Sequence, residues 1–150
     1  MRDALLATAR LIKVSVVILG SVLFSCVAAT ILSGVLIALS VAMSGSGEAA
    51  PTFFLYYCFF AFGVGSPFFL ILGVPTLNFV PGLKHAHPHV AAVAGAAIVA
   101  SLCLLLRLMH DSSRPFDSLA SLASFVACPA LWAAIASCIY QRIKQVTAIR

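Results

Sequence analysis

Charge is scarce in this sequence. Only 9% of its 150 residues are Asp, Glu, Lys or Arg, against the roughly 25% with which a soluble domain solvates its surface. Four acids and nine bases cannot cover a water-soluble protein of 15.7 kDa. Disordered chains are poor in apolar residues, whereas 63% of this one is apolar. Paired cysteine motifs are missing as well. Cys26, Cys58, Cys103, Cys128 and Cys138 lie inside apolar runs with no Cys-x-x-Cys spacing. That excludes a disulfide scaffold and gives no thiol-oxidase or metal-thiolate signature. The five read instead as small packing residues.

The apolar residues are grouped. With a mean hydropathy of +1.14, the chain divides into four runs near the ~20 residues that cross a bilayer. They cover Val14–Met43, Thr52–Val80, Val90–Leu106 and Leu119–Tyr140. The segments between them, Ser44–Pro51, Pro81–His89 and His110–Asp117, concentrate Gly, Pro, Ser and charge, which break helices. The expected fold is an all-α integral membrane protein of four transmembrane helices in one domain, residues 1–150. The first run is about 45 Å long as a helix, and no Gly-Pro break divides it. Leu23–Cys26 looks like a lipoprotein cleavage site, but the apolar run continues well past Cys26, so the segment is expected to stay as an anchor.

Orientation follows from the bases. Arg2, Arg10, Lys13, Lys84, Arg142, Lys144 and Arg150 fall on the side of the termini, and only Arg107 and Arg114 on the other. Lys and Arg mark the cytoplasmic side, so both termini are expected inside. The bases are too few and too scattered for a nucleic-acid surface, and no nucleic-acid partner is expected, despite the net charge of +5.

Small residues recur every fourth position: Ser21, Ser25, Ala29 and Ser33 in helix one, and Ala92, Ala96 and Ala100, beside Gly95, in helix three. Helix four repeats the spacing in Ala120, Ser124 and Cys128, then in Ala130, Ala134 and Cys138. Small residues let helices approach closely in lipid, where packing drives association, so these faces are expected to be helix contacts. Helix two is crowded with phenylalanine and keeps a narrow small face of Cys58, Ala61 and Gly65. Pro67 and Pro129 lie inside helices two and four and are expected to kink them. Each follows small residues and precedes bulky ones, the outline of a two-plus-two repeat.

Three features could carry chemistry. His85, His87 and His89 alternate in one loop, a residue type and spacing that metals use. An extended loop would point His87 away from the other two, and no carboxylate lies nearby, so no metal is expected. His89 is the histidine nearest a span interior, and no haem or other cofactor is expected. His110, Asp111, Arg114 and Asp117 make an acid–base cluster that reads better as a solvated turn with a helix cap. The four runs hold no Asp, Glu, Lys or His at depth, where ionisable groups mark transport paths and proton relays. Arg107 sits at the end of its run, and Asn78, Tyr56, Tyr57 and Tyr140 are the larger polar groups that remain.

The function expected from these residues is that of a small membrane protein acting by helix packing. It would be a subunit, a partner-binding factor or an immunity-type protein, with no enzymatic activity. Its partners would be the bilayer and a membrane protein or a second copy of itself. An oligomeric transporter or channel is the second reading, and a haem- or metal-binding membrane protein the third. Alanine-rich helices and short loops suit a bacterial inner membrane.

Overall fold

The computed structural model describes residues 2–45, 47–110 and 119–148, with side chains over 12–45, 47–109 and 125–147. Among these residues there is no strand. Helix α1 covers Arg2–Met43 and leads through a 3-10 turn at Gly47–Ala49 into α2, Ala50–Phe68. A π-helical turn, Phe69–Gly73, continues directly into α3, Val74–Phe79. Helix α4 is the single turn Pro81–Lys84, α5 covers Pro88–His110 and α6 covers Leu119–Ala148. Four stretches are long and apolar enough to cross a membrane: Ile12–Met43, Gly47–Phe79, Pro88–Met109 and Phe125–Thr147. By length and apolarity these are the helices of a multi-pass membrane protein.

Helices outlast the apolar runs. α1 begins at Arg2 rather than near Val14, because Ala4–Arg10 is rich in helix formers and holds no breaker. Its 42 residues are about 63 Å long. α6 continues past Tyr140 to Ala148, since Gln141–Thr147 loses apolarity without losing helix propensity. α5 likewise runs beyond Leu106 to His110.

The π turn has a covalent cause. Pro67 has no N–H for Gly63 and Pro75 none for Ile71, so the helical ladder is broken twice within eight residues. Between the two prolines the Val74 N–H reaches back to the Phe69 carbonyl, a five-residue step. Such a bulge inserts one residue and turns the following face. Phe69 is thereby buried edge-on against Trp132 and Tyr140, with ring centroids 6.2 Å and 6.0 Å apart.

Packing joins the long helices in the order α2, α1, α6, α5. The core is Val22, Cys26 and Ala29 of α1, Phe69 and Leu77 of the second span, Ala91 of α5, and Trp132, Ala133, Ala136 and Tyr140 of α6. α5 and α6 approach most closely at Gly95, where an added Cβ would fall on Ser137 Oγ and within 3.0 Å of the Ala133 carbonyl oxygen. Large apolar side chains cover the outside, as lipid requires.

Candidate functional site

In lipid a polar side chain must find its partner inside the protein. Serine in a helix usually bonds the carbonyl four residues back, and Ser21, Ser25 and Ser33 donate to Val17, Ser21 and Ala29 at 2.6–2.7 Å. Their acceptor lone pairs remain free for neighbouring helices. Tyr57 of α2 donates its hydroxyl to Ser33 Oγ at 2.9 Å, and Trp132 of α6 donates Nε1–H to Thr30 Oγ1 at 2.9 Å. α1 thus accepts one tie from each neighbour, one helical turn apart. The Trp132–Thr30 pair is buried, and Tyr57 is half-buried against the fully buried Ser33.

The small residues divide by position. Ser25, Ala29 and Ser33 are fully buried and Ser21 is half-buried, with Val22, Cys26 and Thr30 completing the packed face of α1. On α5 the contact line runs through Pro88, Ala91, Gly95 and Val99, and Ala92, Ala96 and Ala100 lie half-buried beside it. The buried face of α6 is Trp132, Ala133, Ala136, Ser137, Tyr140 and Gln141. Cys128, Ala130, Ala134 and Cys138 are half-buried, while the side chains of Ala120 and Ser124 are outside those described.

A polar clamp closes the end of the molecule that holds α4. Gln141 is fully buried, and its Nε2 faces the carbonyl oxygens of Leu83, Lys84 and Ala86 at 3.4, 3.3 and 3.1 Å. Lys144 Nζ donates to the Leu77 and Lys84 carbonyls, and Gln145 Nε2 to Ala86. Asn78 Nδ2 donates to the Tyr140 hydroxyl at 3.0 Å. The Gln141, Lys144 and Gln145 donors reach carbonyls at the C-terminal ends of the short helices, where the helix itself leaves acceptors unpaired. A span ending at Tyr140 misses this clamp. Its sequence signal is polar residues at 141, 144 and 145, one face of a continuing helix.

The histidine loop differs from the extended segment expected. His87 closes the first turn of α5, its carbonyl accepting the Val90 and Ala91 N–H groups, with Pro88 as the first helical residue. His87 and His89 therefore lie on the same side, with rings stacked 5.4 Å apart and 9° from parallel, instead of opposed. All three histidines are exposed. No group of three or more His, Cys, Asp or Glu among the described residues could hold a metal ion. EDTA, or replacement of His85, His87 and His89 by Gln, is expected to shift the melting temperature by less than about 5 °C, the scale of ~1 kcal/mol. A larger drop in a thermal melt would make the loop a structural metal site.

The His110, Asp111, Arg114 and Asp117 cluster lies outside the described side chains. Arg107 is half-buried near the C-terminal end of α5, with its guanidinium 5.9 Å from the Phe125 ring centroid. No family model matches the chain, and neither a curated protein nor a solved structure matches it.

Proposed function

We propose that this protein works by helix packing, as a subunit, partner-binding or immunity-type factor of the membrane, with no chemistry of its own. The observation that carries the reading is the first half of α1. Every residue from Ile12 to Gly20 is exposed, and among the described side chains of α1 burial begins at Ser21 and Val22. Alongside, α3 stays on α6 through Asn78 and Leu77, so α1 stands alone over this stretch. A helix that is apolar on all faces is covered by lipid or by another helix, and a bare length on a helix whose other half is packed is where a partner helix would seat. Val14, Val16, Val17 and Ile18 offer a stiff β-branched surface with little but packing to contribute.

The reading includes an orientation with both termini cytoplasmic, kinks at Pro67 and Pro129, and a bacterial inner membrane. Lys144 Nζ donates to the backbone carbonyl of Lys84, so both residues lie at one end of the molecule, which supports the grouping of bases, and the π turn after Pro67 supports the first kink. With the five native cysteines replaced, Glu48→Cys is expected to label with an impermeant thiol reagent in intact cells. Arg142→Cys is expected to label only after permeabilisation. Labelling of Arg142→Cys in intact cells would overturn the orientation.

Purification in mild detergent tests the function. A different membrane protein at fixed stoichiometry is expected, lost when Val14, Val16, Val17 and Ile18 are all replaced by Leu while the melting temperature holds. A homo-oligomer with ion flux in liposomes would replace this reading with a channel, and a monomer without a partner would contradict it.

A further inference from the structure

The helix order leaves one side of the assembly unclosed, and a cleft of about 540 Å³ opens between α2 and α5 with α6 as its floor. Ala61, Gly65 and Leu72 form one wall, Ile98 and Leu102 the other, and Trp132 lies at its base. On α5 the lining runs from Gly95 to Leu106 and on α2 with its π turn from Tyr57 to Gly73, which is about 17–24 Å of helix. Volume over length leaves a cross-section of roughly 20–30 Å² for the centres of an occupant's atoms, or about 50–65 Å² out to their surfaces. A helix with side chains, 10–12 Å across, needs about 80–110 Å². An extended hydrocarbon chain, whose carbons approach neighbours at 3.5–4 Å, needs about 20 Å².

One end of the cleft carries charge. Leu106 and Phe125 line that end, and the Arg107 guanidinium lies over the Phe125 ring. Arg107 Nε is buried and has no hydrogen-bond partner among the described residues. Guanidinium is the side chain best matched to a phosphate oxygen pair, and this one lies at the C-terminal end of the apolar stretch Pro88–Met109. We infer that the cleft holds one acyl chain of an anionic phospholipid, whose phosphate pairs with Arg107. This inference does not depend on what covers α1.

The chain has a single tryptophan, Trp132, at the base of the cleft and 5% exposed. Its fluorescence in phosphatidylcholine vesicles can therefore be read against two probes, phosphatidylglycerol and phosphatidylcholine with dibrominated chains. The brominated phosphatidylglycerol is expected to quench saturably, at a mole fraction roughly tenfold lower than the brominated phosphatidylcholine. Arg107→Gln should abolish that preference. Val64→Phe with Ile98→Phe, on the exposed walls, should reduce quenching by both lipids while the helical circular dichroism is unchanged. Equal quenching by the two lipids, or a preference that survives Arg107→Gln, would overturn the inference. So would no quenching by either, the result expected if a protein segment fills the cleft.

Discussion

Gly95→Ala should destabilise the protein by about 1–3 kcal/mol, the cost of overpacking a tight contact, even though the change raises helix propensity. The new methyl would meet Ser137 Oγ, which can rotate away, but also the Ala133 carbonyl oxygen at 3.0 Å and Ser137 Cβ at 3.1 Å, which cannot. α5 and α6 would have to separate. Gly63→Ala is the matched control, because nothing lies within 4 Å of its added Cβ. There the propensity gain acts alone, and stability should rise by about 0.5–1 kcal/mol. The two substitutions are chemically identical and should have opposite signs in denaturant unfolding followed by circular dichroism. A rise or no change for Gly95→Ala would mean that α5 and α6 do not pack through this glycine.

Ala29→Leu should have an effect of similar size on the other side of the assembly. Ala29 is fully buried, next to Thr30 and one turn before Ser33, the two positions that accept the interhelical bonds. A larger side chain forces α1 from α2 and α6, at an overpacking cost of about 1–3 kcal/mol. Stretching the Trp132–Thr30 and Tyr57–Ser33 bonds adds about 0.6 kcal/mol each. Val27→Leu, on the far side of the helix where Val27 is 43% exposed, should stay within about 0.5 kcal/mol of the parent. Unfolding gives the first comparison, and Trp132 emission the second, since only Ala29→Leu should disturb the indole. Equal behaviour of the two variants would reduce the ridge to an accident of composition.

Why some of this was legible in the sequence and some was not has physical reasons. The four spans were readable because each sums apolarity over about 20 residues, so local ambiguity averages out. Helix ends were not, because Gln141–Thr147 keeps helix propensity while apolarity stops, and apolarity alone marked the end at Tyr140. In α1 the small residues among bulky neighbours single out Ser25, Ala29 and Ser33. In α5 alanine stands at 91, 92, 94, 96, 97 and 100, so no spacing distinguishes the Ala91–Gly95 line from the Ala92–Ala96 line beside it. Thr30 was missed because its partner, Trp132, is 102 residues away, and no local pattern encodes such a pair. The π turn had a signal in two prolines eight residues apart, but only Pro67 was read for its effect. The histidines were read as an extended loop because His85–His89 contains Pro88 and looks like a breaker. Proline is equally at home as the first residue of a helix, and that is where it stands.

The claim on which the functional reading depends is that Ile12–Gly20 is covered by another protein. A photo-crosslinking side chain placed at Val16, and separately at Val93 on the outer face of α5, tests it in native membranes. Both positions are well exposed, at 63% and 69%, so lipid reaches both equally if nothing else does. Helix packing with a partner predicts a discrete protein adduct from Val16 and none from Val93; lipid adducts alone from both positions would contradict it.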